Sequence, residues 1–219
     1  MSLTETIIGE GVSPRAACGA VVAAYALGCL NSGYYLVRAR TGQDIRRMGS
    51  GSTGARNVGR ALGSNGFVLT MAADLAKGGV AVWMALALTG SDHVALLALL
   101  AVVAGHVWPP QLGFRGGRGV ATSLAGLLVF DCELTLIYGL VFAFAFALTR
   151  RSVAASLAAY ASLPAASFCL RRDPAHLWGI SVLAGLVLLA HHRNMTRGIH
   201  DFLLRRQVAP EAGPSVKEL

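Results

Sequence analysis

Seven apolar runs separated by short polar intervals restrict this chain to a membrane-spanning helical fold more than any other feature. They cover roughly Ala16–Val37, Asn65–Leu88, His93–Val107, Val120–Phe130, Leu134–Leu148, Val153–Leu170 and Leu177–Ala190. A helical crossing needs about 20 apolar residues. The fourth and fifth runs fall short of that, which implies tilt, longer helices or a helical hairpin and leaves six or five crossings as alternatives. Only 14% of the residues are charged, against about 25% in soluble domains. The expected architecture is therefore an all-α integral membrane protein with seven transmembrane helices. One polytopic domain spans 1–206, and the Pro/Gly-containing stretch 207–219 reads as a disordered cytoplasmic tail.

The charge pattern sets the orientation. Arg38, Arg40, Arg46, Arg47, Arg56 and Arg60 follow the first run, and Arg115 and Arg118 follow the third. Arg150 and Arg151 follow the fifth, and Arg193, Arg197, Arg205 and Arg206 close the chain. The positive-inside rule then places the N-terminus outside and the C-terminus in the cytoplasm. With this count every glycine-rich polar interval falls on the cytoplasmic side. The first run is followed by further spans and lacks a clear cleavage site, so it reads as a retained helix. The net charge of +8 favours an anionic leaflet and phosphorylated substrates. No basic patch interleaved with aromatics suggests nucleic acid. Four scattered cysteines, Cys18, Cys29, Cys132 and Cys169, form no C-x-x-C pair and read as small core residues.

Four polar segments stand out. Between Gly49 and Gly63 lie five glycines, three hydroxyl side chains, Asn57, Arg56 and Arg60. Glycines let main-chain N–H groups close on a ligand, and hydroxyls and guanidiniums suit phosphate oxygens. Inside the second run, Asp74 and Lys77 share a helix face and precede Gly78 and Gly79. Ionisable groups at membrane depth usually face a cavity or a partner. A lysine stem can snorkel toward the cytoplasmic surface and meet an anionic head group there. In the third segment His106 precedes Pro109 and Pro110, and the turn Gly116-Gly117-Arg118-Gly119 feeds an apolar helix. Such a helix start accepts anions, although the spacing of a Walker A loop is absent. The fourth, His191 to Arg197, sits where the last run reaches the cytoplasm.

Together and in this order these segments resemble the PlsY-type acyl-phosphate:glycerol-3-phosphate acyltransferases, integral membrane enzymes of bacterial phospholipid synthesis. The motif D-I-R-x-x-G-S-G-N-x-G-A-T-N-V-x-R-x-x-G appears as DIRRMGSGSTGARNVGRALG, and D-x-x-K-G as DLAKG. G-H-x-x-P-x-x-x-x-F-x-G-G-K-G-V-A-T appears as GHVWPPQLGFRGGRGVAT. The closing patterns survive in TRRSVAAS and HHRNMTR. Ser52, Arg56 and Arg118 stand where the family pattern has Asn, Thr and Lys.

The resemblance implies transfer of a fatty acyl group from acyl phosphate to the 1-hydroxyl of glycerol 3-phosphate, giving lysophosphatidic acid and phosphate. It also implies a multi-pass protein of the bacterial plasma (inner) membrane whose active site opens to the cytoplasm. The partners are then the two small-molecule substrates and membrane lipid. No cofactor, metal, nucleic acid or obligate protein partner is expected. Carried over, the catalytic residues are Ser50, Arg60, His106, Arg118 and His191. The substrate-binding residues are Gly51, Gly54, Asn57, Lys77, Gly78, Gly116, Gly117, Gly119, Ser152 and Asn194. Arg60, Lys77 and Arg118 are expected to neutralise phosphate, with glycine-loop N–H groups holding the developing oxyanion. His106, His191 or the substrate's own phosphate remain open as the base. The rival functions are a transporter or binding protein for a phosphorylated metabolite, and a PlsY-like paralogue without acyl transfer.

Overall fold

A computed structural model describes the backbone of residues 8, 9 and 11–207, with side chains through His192. Among the described residues the structure is all-helical. In chain order the α-helices are α1 (Pro14–Cys29), α2 (Ser32–Thr41), α3 (Ala55–Thr89), α4 (Asp92–Val107), α5 (Val120–Phe130), α6 (Cys132–Thr149), α7 (Ser152–Cys169) and α8 (Pro174–Gln207). Among the described residues six helical stretches are long and apolar enough to cross a membrane, with α1 and α2 forming one of them. The short helix α5 matches the run expected at Val120–Phe130, and it is not among the six.

Helix α4 is the central post. Val94, Ala95, Ala98, Leu99, Val102 and Val103 are all fully buried, and α4 packs against α1, α3, α5 and α8. Small residues allow the close crossings, as they do where lipid supplies no hydrophobic drive between helices. A Cβ on Gly28 of α1 would strike the Val102 carbonyl, and one on Gly105 of α4 would strike the Tyr25 carbonyl. Gly78 of α3 likewise lies against the Thr122 carbonyl of α5. The outer face is apolar, as lipid requires. Leu136, Leu140, Phe144 and Leu148 of α6 recur every four residues and are 66–72% exposed. Of the cysteines expected in the core only Cys29 is buried, whereas Cys18, Cys169 and Cys132, at the start of this helix, are exposed free thiols on the apolar outer face. Cys132→Ala is expected to move stability by no more than about 0.5 kcal/mol, checked by thermal unfolding in detergent.

Three expected elements differ from the observed ones. The first run is not one helix: it breaks at Leu30 and Asn31 between α1 and α2. The break exposes carbonyls, and side chains from elsewhere satisfy them. Gln111 Nε2 donates to Cys29 O at 2.6 Å, and Lys77 Nζ donates to Leu30 O at 2.8 Å. The second helix starts at Ala55, inside the expected glycine loop, and bends at Gly63, whose φ of 74° suits glycine. The last helix continues beyond the expected Leu177–Ala190 to Gln207, so position 207 is helical rather than tail. The remainder of the expected tail lies outside the described residues.

Candidate functional site

The polar loop after α2 is built by a few side chains acting on backbone. Asp44 caps a short 3₁₀ turn, Ile45–Arg47, by accepting from the Arg46 N–H at 2.9 Å. It also pairs with the Arg46 guanidinium at 2.7 Å. These hydrogen bonds hold the Asp44 carboxyl below its ordinary range. Arg46 then reaches across to donate to Leu112 O at 2.5 Å, over the face of Tyr34. Asn57 closes the loop from the first turn of α3. Its Nδ2 donates to Met48 O and Ser52 O at 3.0 and 2.9 Å, and its Oδ1 accepts from Ser50 N at 3.0 Å. Thr53 ties the loop to two neighbours, donating its hydroxyl to Asn31 Oδ1 at 2.6 Å and its N–H to Gly116 O at 3.4 Å.

The glycine turn before α5 is anchored to the end of α4. Gly116 N donates to Val107 O and Gly117 N to His106 O, each at 3.0 Å. Gly117 lies directly on the buried His106 ring, and a Cβ there would strike Nε2. Gly119 caps α5 with a φ of 80° and packs against Val103, Val107 and Val187. Gly117→Ala is therefore expected to displace the turn from His106. A shift of about 1 Å in such a site costs about 10²-fold in turnover, measurable as kcat against an unchanged far-UV spectrum.

Loop, turn and the end of the α8 span meet in one cleft of about 590 Å³. The first loop contributes Arg46, Arg47 and Gly49 to Ser52, the turn contributes Arg115 to Arg118, and α8 contributes Leu189, Ala190 and His192. Of the expected site residues, Ser50, Gly51, Gly116, Gly117 and Arg118 line it. His191 is buried beside it and donates Nδ1–H to Val187 O at 2.8 Å, since a carbonyl only accepts. Arg118 is half-buried; burial first, then the charges of Arg56 and Arg60, draws its guanidinium below the ordinary value. It stays a cation at neutral pH all the same.

The other expected residues sit elsewhere. Arg60 is exposed in an adjoining groove, its stem against Gly49. Gly54 caps α3, and the Asn57 amide is taken up by the loop it closes. Gly78 lies at the α3–α5 crossing. Ser152 opens α7 away from the cleft, half-buried. The side chain of Asn194 lies outside the described residues.

Lys77 differs most from expectation. Its ammonium does not snorkel to the surface but is buried, 6% exposed. It meets Asp74 Oδ1 at 2.9 Å, His106 Nδ1 at 2.7 Å and the carbonyls freed by the break after α1. An ammonium can only donate, so His106 accepts at Nδ1 and carries its proton on Nε2, facing Gly117. The glycine N–H groups also depart from their expected use. Those of Ser50, Gly51, Gly116 and Gly117 are already donated within the protein, to Asn57 Oδ1, Met48 O, Val107 O and His106 O. The cleft is also lined by the guanidinium-bearing Arg46, Arg47, Arg115 and Arg118 and by Ser50. Sequence reasoning passed over Arg46, Gln111 and His192. Asn31, a lone asparagine in an apolar run, was a visible signal that it did not use.

Fold and cleft together define a multi-pass helical membrane protein with a cleft rich in arginine. The family model described as glycerol-3-phosphate acyltransferase matches residues 18–201. Glycerol-3-phosphate acyltransferase 1 of Desulfitobacterium hafniense (strain Y51) is 42% identical over 187 residues, covering 85% of this chain and 93% of that protein. The glycerol-3-phosphate acyltransferase of Gloeobacter violaceus is 39% identical over 181 residues, covering 81% and 88%. Crystal structures of PlsY, an integral membrane glycerol 3-phosphate acyltransferase, share the fold. Its glycerol 3-phosphate form has a TM-score of 0.77 at 32% identity, covering 84% of this chain and 92% of that one. The chain belongs to the glycerol-3-phosphate acyltransferase family.

Proposed function

We propose that this protein transfers a fatty acyl group from acyl phosphate to the 1-hydroxyl of glycerol 3-phosphate, releasing lysophosphatidic acid and phosphate. The observation that carries this is the convergence of three remote segments on one cationic cleft large enough for a phosphorylated triol. An acyl phosphate is an activated mixed anhydride, so placing the hydroxyl beside the carbonyl and neutralising phosphate supplies most of the catalysis. Arg118 and Ser50 hold phosphate in the cleft, and Arg60 adds charge at its edge. Lys77 acts from beneath, by fixing His106 under the glycine turn. Of the two histidines, His191 is the better placed base. Its Nδ1–H is donated to Val187 O, which leaves Nε2 as an acceptor, whereas His106 presents a proton at Nε2.

We further infer seven crossings, an outer N-terminus, a cytoplasmic cleft and a bacterial plasma-membrane location for one domain over 1–206. Helix α5 supports the seventh crossing despite its 11 residues. It starts at the cleft floor, where Gly119 packs on Val187. It ends at Asp131, which pairs with Arg172 at 3.1 Å near the opposite end of α8. Most arginines fall at the cleft end, while Arg15, Arg171 and Arg172 accompany Asp92, Asp131, Glu133 and Asp173 at the other, a balance that the positive-inside rule prefers. The test is product formation by purified protein in detergent, followed by mass spectrometry with acyl phosphate or acyl-CoA as donor. Lysophosphatidic acid from acyl phosphate alone is the expected result. Equal product from acyl-CoA contradicts the donor assignment.

A further inference from the structure

Phe114 is held in a conformation that disfavours phenylalanine. Its φ of 58° lies in the left-handed region, a genuine outlier for a bulky side chain. Gly113 before it has a φ of 61°, which glycine adopts freely. Several hydrogen bonds fix the turn in this shape. Phe114 N donates to Pro109 O at 3.0 Å, and Gly113 N donates to Pro110 O at 2.9 Å. The Leu112 carbonyl accepts from the Arg46 guanidinium at 2.5 Å, so the first polar loop clamps the turn as well. Backbone strain of this kind persists only where its surroundings over-determine it, and it gathers at functional sites.

Packing does not account for the side chain. Phe114 is 61% exposed, although an aromatic ring contributes most to stability when buried. It nevertheless lines the cleft, alongside Arg115 and Arg118 of the same turn. A side chain that both lines the cleft and meets solvent stands at its mouth. Trp108, just after α4, and Leu189 of α8 line the same cleft and add apolar surface to it. Guanidiniums suit phosphate, whereas apolar side chains around a reacting centre keep water out.

The reaction gives water exclusion a purpose. An acyl phosphate is open to two nucleophiles at its carbonyl carbon. Attack by the 1-hydroxyl of glycerol 3-phosphate forms the ester bond of lysophosphatidic acid. Attack by water forms a free fatty acid instead. In both cases the bond from the acyl carbon to the phosphate oxygen breaks, phosphate leaves with the electron pair, and the proton of the nucleophile passes to phosphate or solvent. We propose that Phe114 decides between the two, its ring capping the cleft over the bound acyl phosphate so that the acceptor hydroxyl reaches the carbonyl and water does not. This rests on the acyl-transfer function proposed above. Phe114 is a specificity-determining residue for the nucleophile; it holds no phosphate and moves no proton.

The test compares the full-length protein with Phe114→Gly and Phe114→Leu, purified in neutral detergent and supplied with acyl phosphate, with and without glycerol 3-phosphate. Phosphate is followed colorimetrically, and lysophosphatidic acid and fatty acid by mass spectrometry in water labelled with heavy oxygen. The wild-type protein is expected to form lysophosphatidic acid and phosphate in equal amounts. In Phe114→Gly, phosphate release from acyl phosphate alone is expected to rise about tenfold, with heavy oxygen in the fatty acid. Phe114→Leu restores an apolar side chain and falls between. Glycine suits this backbone conformation, so the unfolding midpoint of Phe114→Gly is expected to hold or rise while product is diverted to fatty acid. Equal amounts of phosphate and lysophosphatidic acid in Phe114→Gly overturn the proposal, as does heavy oxygen in phosphate, which shows attack at phosphorus. A lowered midpoint without added hydrolysis shows a packing role and also overturns it. If the wild-type protein makes no lysophosphatidic acid, the acyl-transfer function fails and the cap falls with it. If the wild type makes it and Phe114→Gly hydrolyses no faster, the cap alone fails.

Discussion

Replacing Arg118 with alanine is expected to lower kcat by about 10²–10³-fold while the thermal unfolding midpoint in detergent barely moves. The residue stands on a turn that α4 holds through two backbone hydrogen bonds, from Gly116 and Gly117. Its guanidinium therefore reaches the cleft without spending freedom at the moment of reaction. Because the N–H groups of Gly116 and Gly117 are committed to Val107 O and His106 O, these two donors of the turn do not replace the lost charge. Arg118→Lys keeps a cation there and is expected to retain most activity, with the planar fork exchanged for a compact ammonium. Steady-state kinetics on the two variants separate charge from geometry. Equal losses in both identify the fork as the element that matters.

Lys77→Ala acts by a different route and falls on the fold itself. It leaves the carboxylate of Asp74 buried with Ser32 as its hydroxyl donor, at 3.2 Å. It also strips the Leu30 carbonyl of its 2.8 Å donor. Breaking a buried pair by removing one partner costs about 3–5 kcal/mol, a large part of a typical folding free energy. The expected result is a collapsed unfolding midpoint together with lost turnover. Asp74→Asn in the Lys77→Met background removes both charges, and stability is expected to recover in part while activity stays low. The residual defect then reports on His106, whose Nδ1 has lost the ammonium that fixed its proton on Nε2. Full activity in the double variant contradicts a positioning role for Lys77.

Much of this architecture is visible in the chain, because helix ends are written in local residues. The run Val120–Phe130 coincides with α5 since Gly119 starts it in a left-handed conformation and Asp131 caps the next helix, accepting from Leu134 N at 3.0 Å. The membrane class follows from apolar runs that lipid alone can accommodate. The ordered motifs point to the same family as the comparisons with known proteins. What stays hidden depends on partners far apart in sequence. The break at Asn31 persists only because Lys77, Gln111 and Thr53 arrive to satisfy it. For the same reason the snorkelling expected of Lys77 fails: its stem finds freed carbonyls inside, 47 positions upstream at Leu30. The N–H groups of Gly116 and Gly117 look available in a glycine-rich string, yet the packing of that string on α4 has already engaged them.

The most direct test of a cleft that grips two phosphate-bearing molecules together is a time course of phosphate release by the purified protein in detergent. Acyl phosphate and glycerol 3-phosphate are supplied singly and jointly. Release at a steady rate is predicted only when both are present, with lysophosphatidic acid formed in equal amount. Phosphate released at the same rate from acyl phosphate alone, or glycerol 3-phosphate taken up by vesicles without release, contradicts it.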